Sequence, residues 1–201
     1  MTSQLPGDQK GQRQMFGLIN RAFERFILRD YGVESWNAIR HAANIETSTF
    51  ISMDVYDDEM SFRLFEVAAQ HLDYSLDDLL ERFGESWVDV GASAGFGPVM
   101  RLGGSNLTDF ILNLDNLHTR LGLTFSALRP PSFRVELTSS ADHSPCIRLH
   151  YRSDRQGLTS FVVGVLRGLG KHFNEPVDVR IEQATQGRQA SFLVQPLSRH
   201  E

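Results

Sequence analysis

The doubled proline in Arg129-Pro130-Pro131-Ser132 constrains this chain more than any other stretch. Two consecutive prolines fix φ and remove two backbone donors, and the residue ahead of them is driven out of the α region. Neither a helix nor a central strand passes through such a break. The two sides of it differ in period. Ahead of it apolar residues recur at three- and four-residue steps; behind it most segments alternate apolar and polar. The order reads as helices first and then ββαββ. That is an α+β protein, with an antiparallel sheet carrying helices on one side.

Ahead of the break, Met15–Leu28 places Phe16, Ile19, Phe23 and Ile27 on a helical stripe that stops at Tyr31-Gly32. Glu34–Ala43 reads as a second helix and Asp57–Leu72 as a third, with Thr47–Val55 irregular or weakly extended between them. Ser75 opens a short fourth helix, SLDD supplying its cap and acidic first turn, and Glu85–Val90 starts a fifth. Gly91–Gly104 holds five glycines and Pro98 and reads as a loop. Behind the break, strands are expected at Phe133–Thr138, Cys146–Ser153, Val177–Ala184 and Ser191–Pro196. An apolar helix over Leu158–Phe173 separates the two hairpins.

The helix just before the break, Ser105–Leu121, carries an odd residue. Its apolar stripe is Phe110, Ile111, Leu114, Leu117 and Leu121, and His118 stands in the same stripe. Ser105 or Asn106 can cap its start, Asp109 suits the positive end of the dipole, and Gly122 supplies a stop. A titratable ring pointed where leucines point is either a satisfied core residue or a ligand to something buried.

Tyr151, Ser153 and Arg155 follow at steps of two at the end of a predicted strand, so their side chains share one face. Two hydroxyls in line with a guanidinium suit an anion with several oxygens. The alternative is a solvated sheet edge with an ordinary surface arginine.

Composition narrows the function classes. With 41% hydrophobic and 22% charged residues in 201, the chain has the make-up of a soluble globular domain with a substantial core. The net charge of −5 and scattered basic residues leave no nucleic-acid footprint. No apolar run reaches the roughly 18–20 residues of a membrane helix. Residues 1–14 are polar, lack the apolar core of a signal peptide, and read as a flexible leader to a single domain over residues 15–201. A cytoplasmic location is expected. The single Cys146 excludes an internal disulfide and a multi-cysteine zinc site, and reads as a small buried hydrophobe. His41, His71, His143, His150, His172 and His200 show no paired metal-ligand spacing. Gly91-Ala92-Ser93-Ala94-Gly95 matches the nucleophile elbow of serine hydrolases, but FGPVMRLGG after it cannot start the helix an elbow requires.

NLDNLHTRL, RPPSF, LHYRSDR and GLTSFVVGVLRGLG together resemble the haem nitric oxide/oxygen binding (H-NOX) family, which includes bacterial gas sensors and the sensor domain of animal soluble guanylate cyclases. MFGLINRAFERFILRDYG is similar to the family's amino terminus, with Met15 at the usual first residue, so the resemblance runs from Met15 to Val194. It implies a helical part over about residues 15–83, and a haem helix and sheet part over about 84–201. A signalling-type helix packs on the sheet, with haem b (protoporphyrin IX iron) buried between the parts. By this resemblance His118 matches the proximal iron ligand. Tyr151, Ser153 and Arg155 match the row that holds the propionates, and Pro131 matches the proline that bends the macrocycle. Ile19, Phe23, Trp87, Phe161 and Val165 match the distal wall.

The family's oxygen binders place a tyrosine hydroxyl where this chain has Phe161, give or take one residue, and Ser160 and Val162 are no tyrosine either. The resemblance therefore implies a nitric oxide sensor, with CO as a weaker ligand. Trp87 is simplest as apolar wall, although its indole N–H could donate if it pointed at the iron. Nitric oxide weakens the bond opposite it, so the implied signal is a lengthened or broken Fe–His118 bond. No catalytic activity is expected in the chain itself. Its output passes in trans to a histidine kinase or a cyclic-di-GMP synthase or phosphodiesterase, as in stand-alone bacterial relatives. The alternatives are oxygen or CO sensing, or a haem-free interaction domain on a related scaffold.

Overall fold

The computed structural model describes residues 14–91, 103–125, 128–139, 143–185 and 187–197. Among these the elements run β1 (Gln14–Phe16), α1 (Gly17–Ala42), β2 (Val55–Asp57), α2 (Asp58–His71), α3 (Leu76–Gly91), α4 (Leu107–Thr124), β3 (Ser132–Ser139), β4 (Pro145–Arg152), α5 (Thr159–His172), β5 (Val177–Thr185) and β6 (Gln189–Pro196). Helices before the double proline and ββαββ after it make the expected α+β architecture. Residues 1–13, Ser93 with most of its glycine loop, the hairpin tip at 140–142, Gln186 and His200 lie outside the described residues.

Glycines explain where the helices depart from their sequence pattern. α1 covers both predicted helices, and Gly32 divides them with φ 85° and ψ 172°, a conformation glycine adopts without steric cost. α3 is one helix where a short helix and the start of another were expected. Gly84 in its middle is no break: a Cβ there would sit 2.1 Å from the Phe161 carbonyl oxygen, so the missing side chain lets α5 approach. Across the same crossing, Arg167 pairs with Glu81 and Lys171 with Glu85. α4 likewise continues past Gly122, the expected stop, to Thr124, and Gly122 lies against the Pro130 ring. Its start is capped by Asn106, whose side chain accepts the Asp109 N–H at 2.8 Å.

Two antiparallel sheets form. β1 and β2 make a short ribbon, pairing Met15 with Tyr56. Three residues are too few for alternation to show, and the sequence pattern does not reveal it. The second sheet has the order β3-β4-β6-β5, with Phe133 opposite Tyr151 and Tyr151 opposite Ala190. Burial divides the core in two. One cluster fills the helical part around Phe23, Phe65 and Phe83; the other lies between α4, α5 and the sheet around Ile111, Leu149 and Phe192. α3 contributes Phe83 to the first and Val88 to the second, so it bridges them. Cys146 is buried and unpaired in disulfides, as a small hydrophobe should be. Among the described residues no helix is long and apolar enough to cross a membrane.

Candidate functional site

His118 sits three turns into α4, and its own helix sets its chemistry. Nδ1 lies 2.9 Å from the Leu114 carbonyl oxygen. A carbonyl only accepts, so Nδ1 carries the hydrogen. Burial lowers the imidazole pKa below its ordinary value, against the opposing pull of the Leu114 hydrogen bond and the Asp115 charge. The lowered pKa favours the neutral ring, in which a hydrogen on Nδ1 leaves Nε2 with an unprotonated lone pair.

Phe133 ties this turn of α4 to the sheet. Its ring lies 4.9 Å from the His118 imidazole and 5.7 Å from the Tyr151 ring, centroid to centroid. Its backbone N–H donates to Asp115 Oδ1 at 2.8 Å. One turn of helix therefore carries both His118 and the acceptor that holds Phe133 near the start of β3, two residues beyond the half-buried Pro131. Sequence reasoning missed Asp115 and Phe133. The only signal for Asp115 was its place one turn before the histidine.

The donor row assembles, but not as an extended strand. β4 ends at Arg152, and Ser153 and Arg155 lie in the bend that follows. Tyr151 and Ser153 are 4% and 7% exposed, which excludes a solvated edge. Burial pushes the Tyr151 hydroxyl pKa up, partly offset by its hydrogen bond with Ser153 and the positive charge of Arg155. Ser153 Oγ accepts the Arg155 backbone N–H at 3.1 Å. The Arg155 side chain crosses to α2 and donates to Asp58 at 3.1 Å and to the Arg129 carbonyl at 2.9 Å. Asp58 was not singled out from sequence, because it lies 97 positions away.

Three of the remaining site residues gather around a fourth that sequence reasoning overlooked. Phe83 stands 5.0 Å from Phe23, 5.1 Å from Phe161 and 6.3 Å from Trp87 between ring centroids, and Trp87 meets Phe161 at 6.0 Å. Its spacing of four from Trp87 on one helix was the available signal. Ile19 packs on the same cluster, and Val165, one turn beyond Phe161, packs on the sheet-side cluster.

A family model described as haem-NO-binding matches residues 16–181. The chain belongs to this family. Soluble guanylate cyclase gcy-31 of Caenorhabditis elegans is 29% identical to it over 157 residues, which is 78% of this chain and 22% of the relative. Soluble guanylate cyclase gcy-37 of the same organism is 31% identical over 185 residues, covering 90% and 26%. The chain thus spans about a quarter of the length of these curated relatives. Solved structures of H-NOX proteins share its fold. The H-NOX protein from S. oneidensis in the Fe(II)NO ligation state gives a TM-score of 0.77 at 18% identity, covering 92% of this chain and 100% of that one. The Fe(II) unliganded H-NOX protein from K. algicida gives 0.78 at 19%, covering 93% and 99%.

Haem is the cofactor of the haem-NO-binding family, and the donor set here fits it. A neutral imidazole with a bare Nε2 is the form that ligates iron. Two buried hydroxyls beside a guanidinium suit a pair of carboxylates.

Proposed function

We propose that this chain is a cytoplasmic nitric oxide sensor in which His118 ligates haem iron through Nε2. Tyr151, Ser153 and Arg155 hold the propionates, Pro131 presses on the macrocycle, and Ile19, Phe23, Trp87, Phe161 and Val165 line the gas side. The observation that carries the proposal is the hydrogen bond from His118 Nδ1 to Leu114, which leaves the other ring nitrogen as the ligating atom. When bound, the haem would supply a ferrous iron able to take a diatomic gas.

Phe161 favours nitric oxide over oxygen. Its ring offers no hydroxyl and packs against Phe83 and Trp87 in an aromatic wall, whereas oxygen gains most from a hydrogen-bond donor. CO is the weaker ligand. Signalling runs through α4. His118 and Asp115 share one turn of α4, Asp115 accepts the Phe133 N–H and the Phe133 ring lies on His118, so a shift of His118 would loosen the hold on the start of β3. The receiver is a second protein, a histidine kinase or a cyclic-di-GMP synthase or phosphodiesterase, on the strength of the resemblance to bacterial sensors. The test is to add nitric oxide to the purified ferrous protein. The Soret band should move and the Fe–His stretch disappear; a Soret band and stretch that both stay as in the ferrous state overturn the proposal.

A further inference from the structure

Arg155 makes contacts that a propionate anchor does not require. Its Nε donates to Asp58 Oδ1 at 3.1 Å, and its NH1 donates at 2.9 Å to the carbonyl of Arg129, the residue just before Pro130-Pro131. The Arg155 and Asp58 side chains are only 11% and 10% exposed. Asp58 is the first residue of α2, where the positive end of the helix dipole favours a carboxylate. One guanidinium thus spans three pieces of chain: the helical part, the connection that bears Pro131, and the bend after β4.

A guanidinium is planar and its donors are fixed in a fork, so two contacts at different nitrogens define its plane. An arginine on a bend lacks the rigidity of a strand residue, and here that rigidity comes from across the molecule. We propose that Asp58 is the positioning residue of the propionate site. It sets the Arg155 plane and makes the same arginine a clasp between α2 and the connection bearing Pro131. This rests on the reading above, in which Arg155 meets the propionates.

A double-mutant cycle on the haem-loaded protein tests it, read as the rate of haem transfer to excess apomyoglobin. Arg155→Ala should speed haem loss roughly ten- to a hundredfold, the range for one hydrogen bond to a charged group. Asp58→Asn keeps the shape but removes the charge, and should speed loss by a similar factor. The double variant should lose haem no faster than Arg155→Ala alone, because Asp58 acts only through that arginine. A purely structural role for Asp58 would give factors that multiply, and multiplying factors overturn the proposal. An unchanged rate in Asp58→Asn beside a faster one in Arg155→Ala also overturns it, and leaves the propionate reading standing. An unchanged rate in Arg155→Ala overturns that reading itself. If Asp58→Asn does not fold, Asp58→Glu replaces it in the cycle, moving the charge by one methylene, and the same outcomes decide.

Discussion

Replacing Gly164 with alanine probes the packing that brings α3 and α5 together and sets the aromatic wall. A Cβ at this position would lie 1.9 Å from the Glu81 carbonyl oxygen, 2.8 Å from its carbon and 2.9 Å from the Glu85 nitrogen. These are backbone atoms of a facing helix, and no side-chain rotation relieves them. Ordinary contact begins at 3.4 Å, so the helices must part by about 1.5 Å. Two effects oppose each other. Alanine is the better helix former by about 1 kcal/mol, while overpacking a close interface costs about 1–3 kcal/mol. Separation also pulls Arg167 from Glu81 and opens the contact of Phe83 with Phe161. With about 0.5–1.5 kcal/mol more for the opened aromatic contact, overpacking wins, with a net loss of about 1–3 kcal/mol, or about 2–12 °C in Tm for a domain of this size. Thermal unfolding followed by far-UV circular dichroism measures it. A Gly164→Ala variant as stable as the parent, or more so, would refute the close crossing of α3 and α5.

Phe161→Tyr adds a hydroxyl to the aromatic wall proposed for the gas side. It should yield a ferrous protein that forms a lasting oxygen complex in air, seen by absorption, and a spectrum identical to the parent's in air would count against Phe161 as the wall. Asp115→Ala removes the acceptor of the Phe133 N–H and should cost about 1–2 kcal/mol in urea unfolding; an unchanged midpoint would show that this bond does not hold β3 to α4. Arg148 donates two hydrogen bonds to Glu182, at 2.7 and 3.0 Å, and holds that carboxyl below its ordinary value of 4.5. A depressed folded value means that the pair's small contribution is present above 4.5 and lost as pH falls through the lower folded value. Urea midpoints of the parent and Glu182→Gln should therefore differ near neutral pH and converge in acid. A gap that persists unchanged in acid contradicts the pairing.

Strong local periodicity made most of the fold legible. The alternating segments after the double proline became β3 to β6 with ends shifted by one or two residues, because both faces of a half-buried sheet leave their mark. What failed was non-local. Gly84 and Gly122 look like breaks in sequence, yet each serves a close approach, of α5 in one case and of Pro130 in the other. The β1–β2 ribbon exists only because distant three-residue pieces meet. The site shows the same division. His118 stood out as a polar ring in an apolar stripe, and Tyr151, Ser153 and Arg155 by their spacing. Asp58 and Phe83 became visible only when the fold brought α2 and α3 to the bend and to α5. The spacing predicts one row along an extended strand, whereas the strand ends at Arg152 and a bend with two buried hydroxyls gathers the three donors instead.

The most direct test of the account is His118→Gly, purified with and without imidazole. Removing the ring leaves the Leu114 carbonyl and the Phe133 ring in place, so the variant should fold. It should take up haem in the parent's spectral form only when imidazole is supplied to stand in for the missing side chain. A variant that shows the parent's unchanged five-coordinate ferrous spectrum without imidazole would contradict the claim that His118 is the iron ligand.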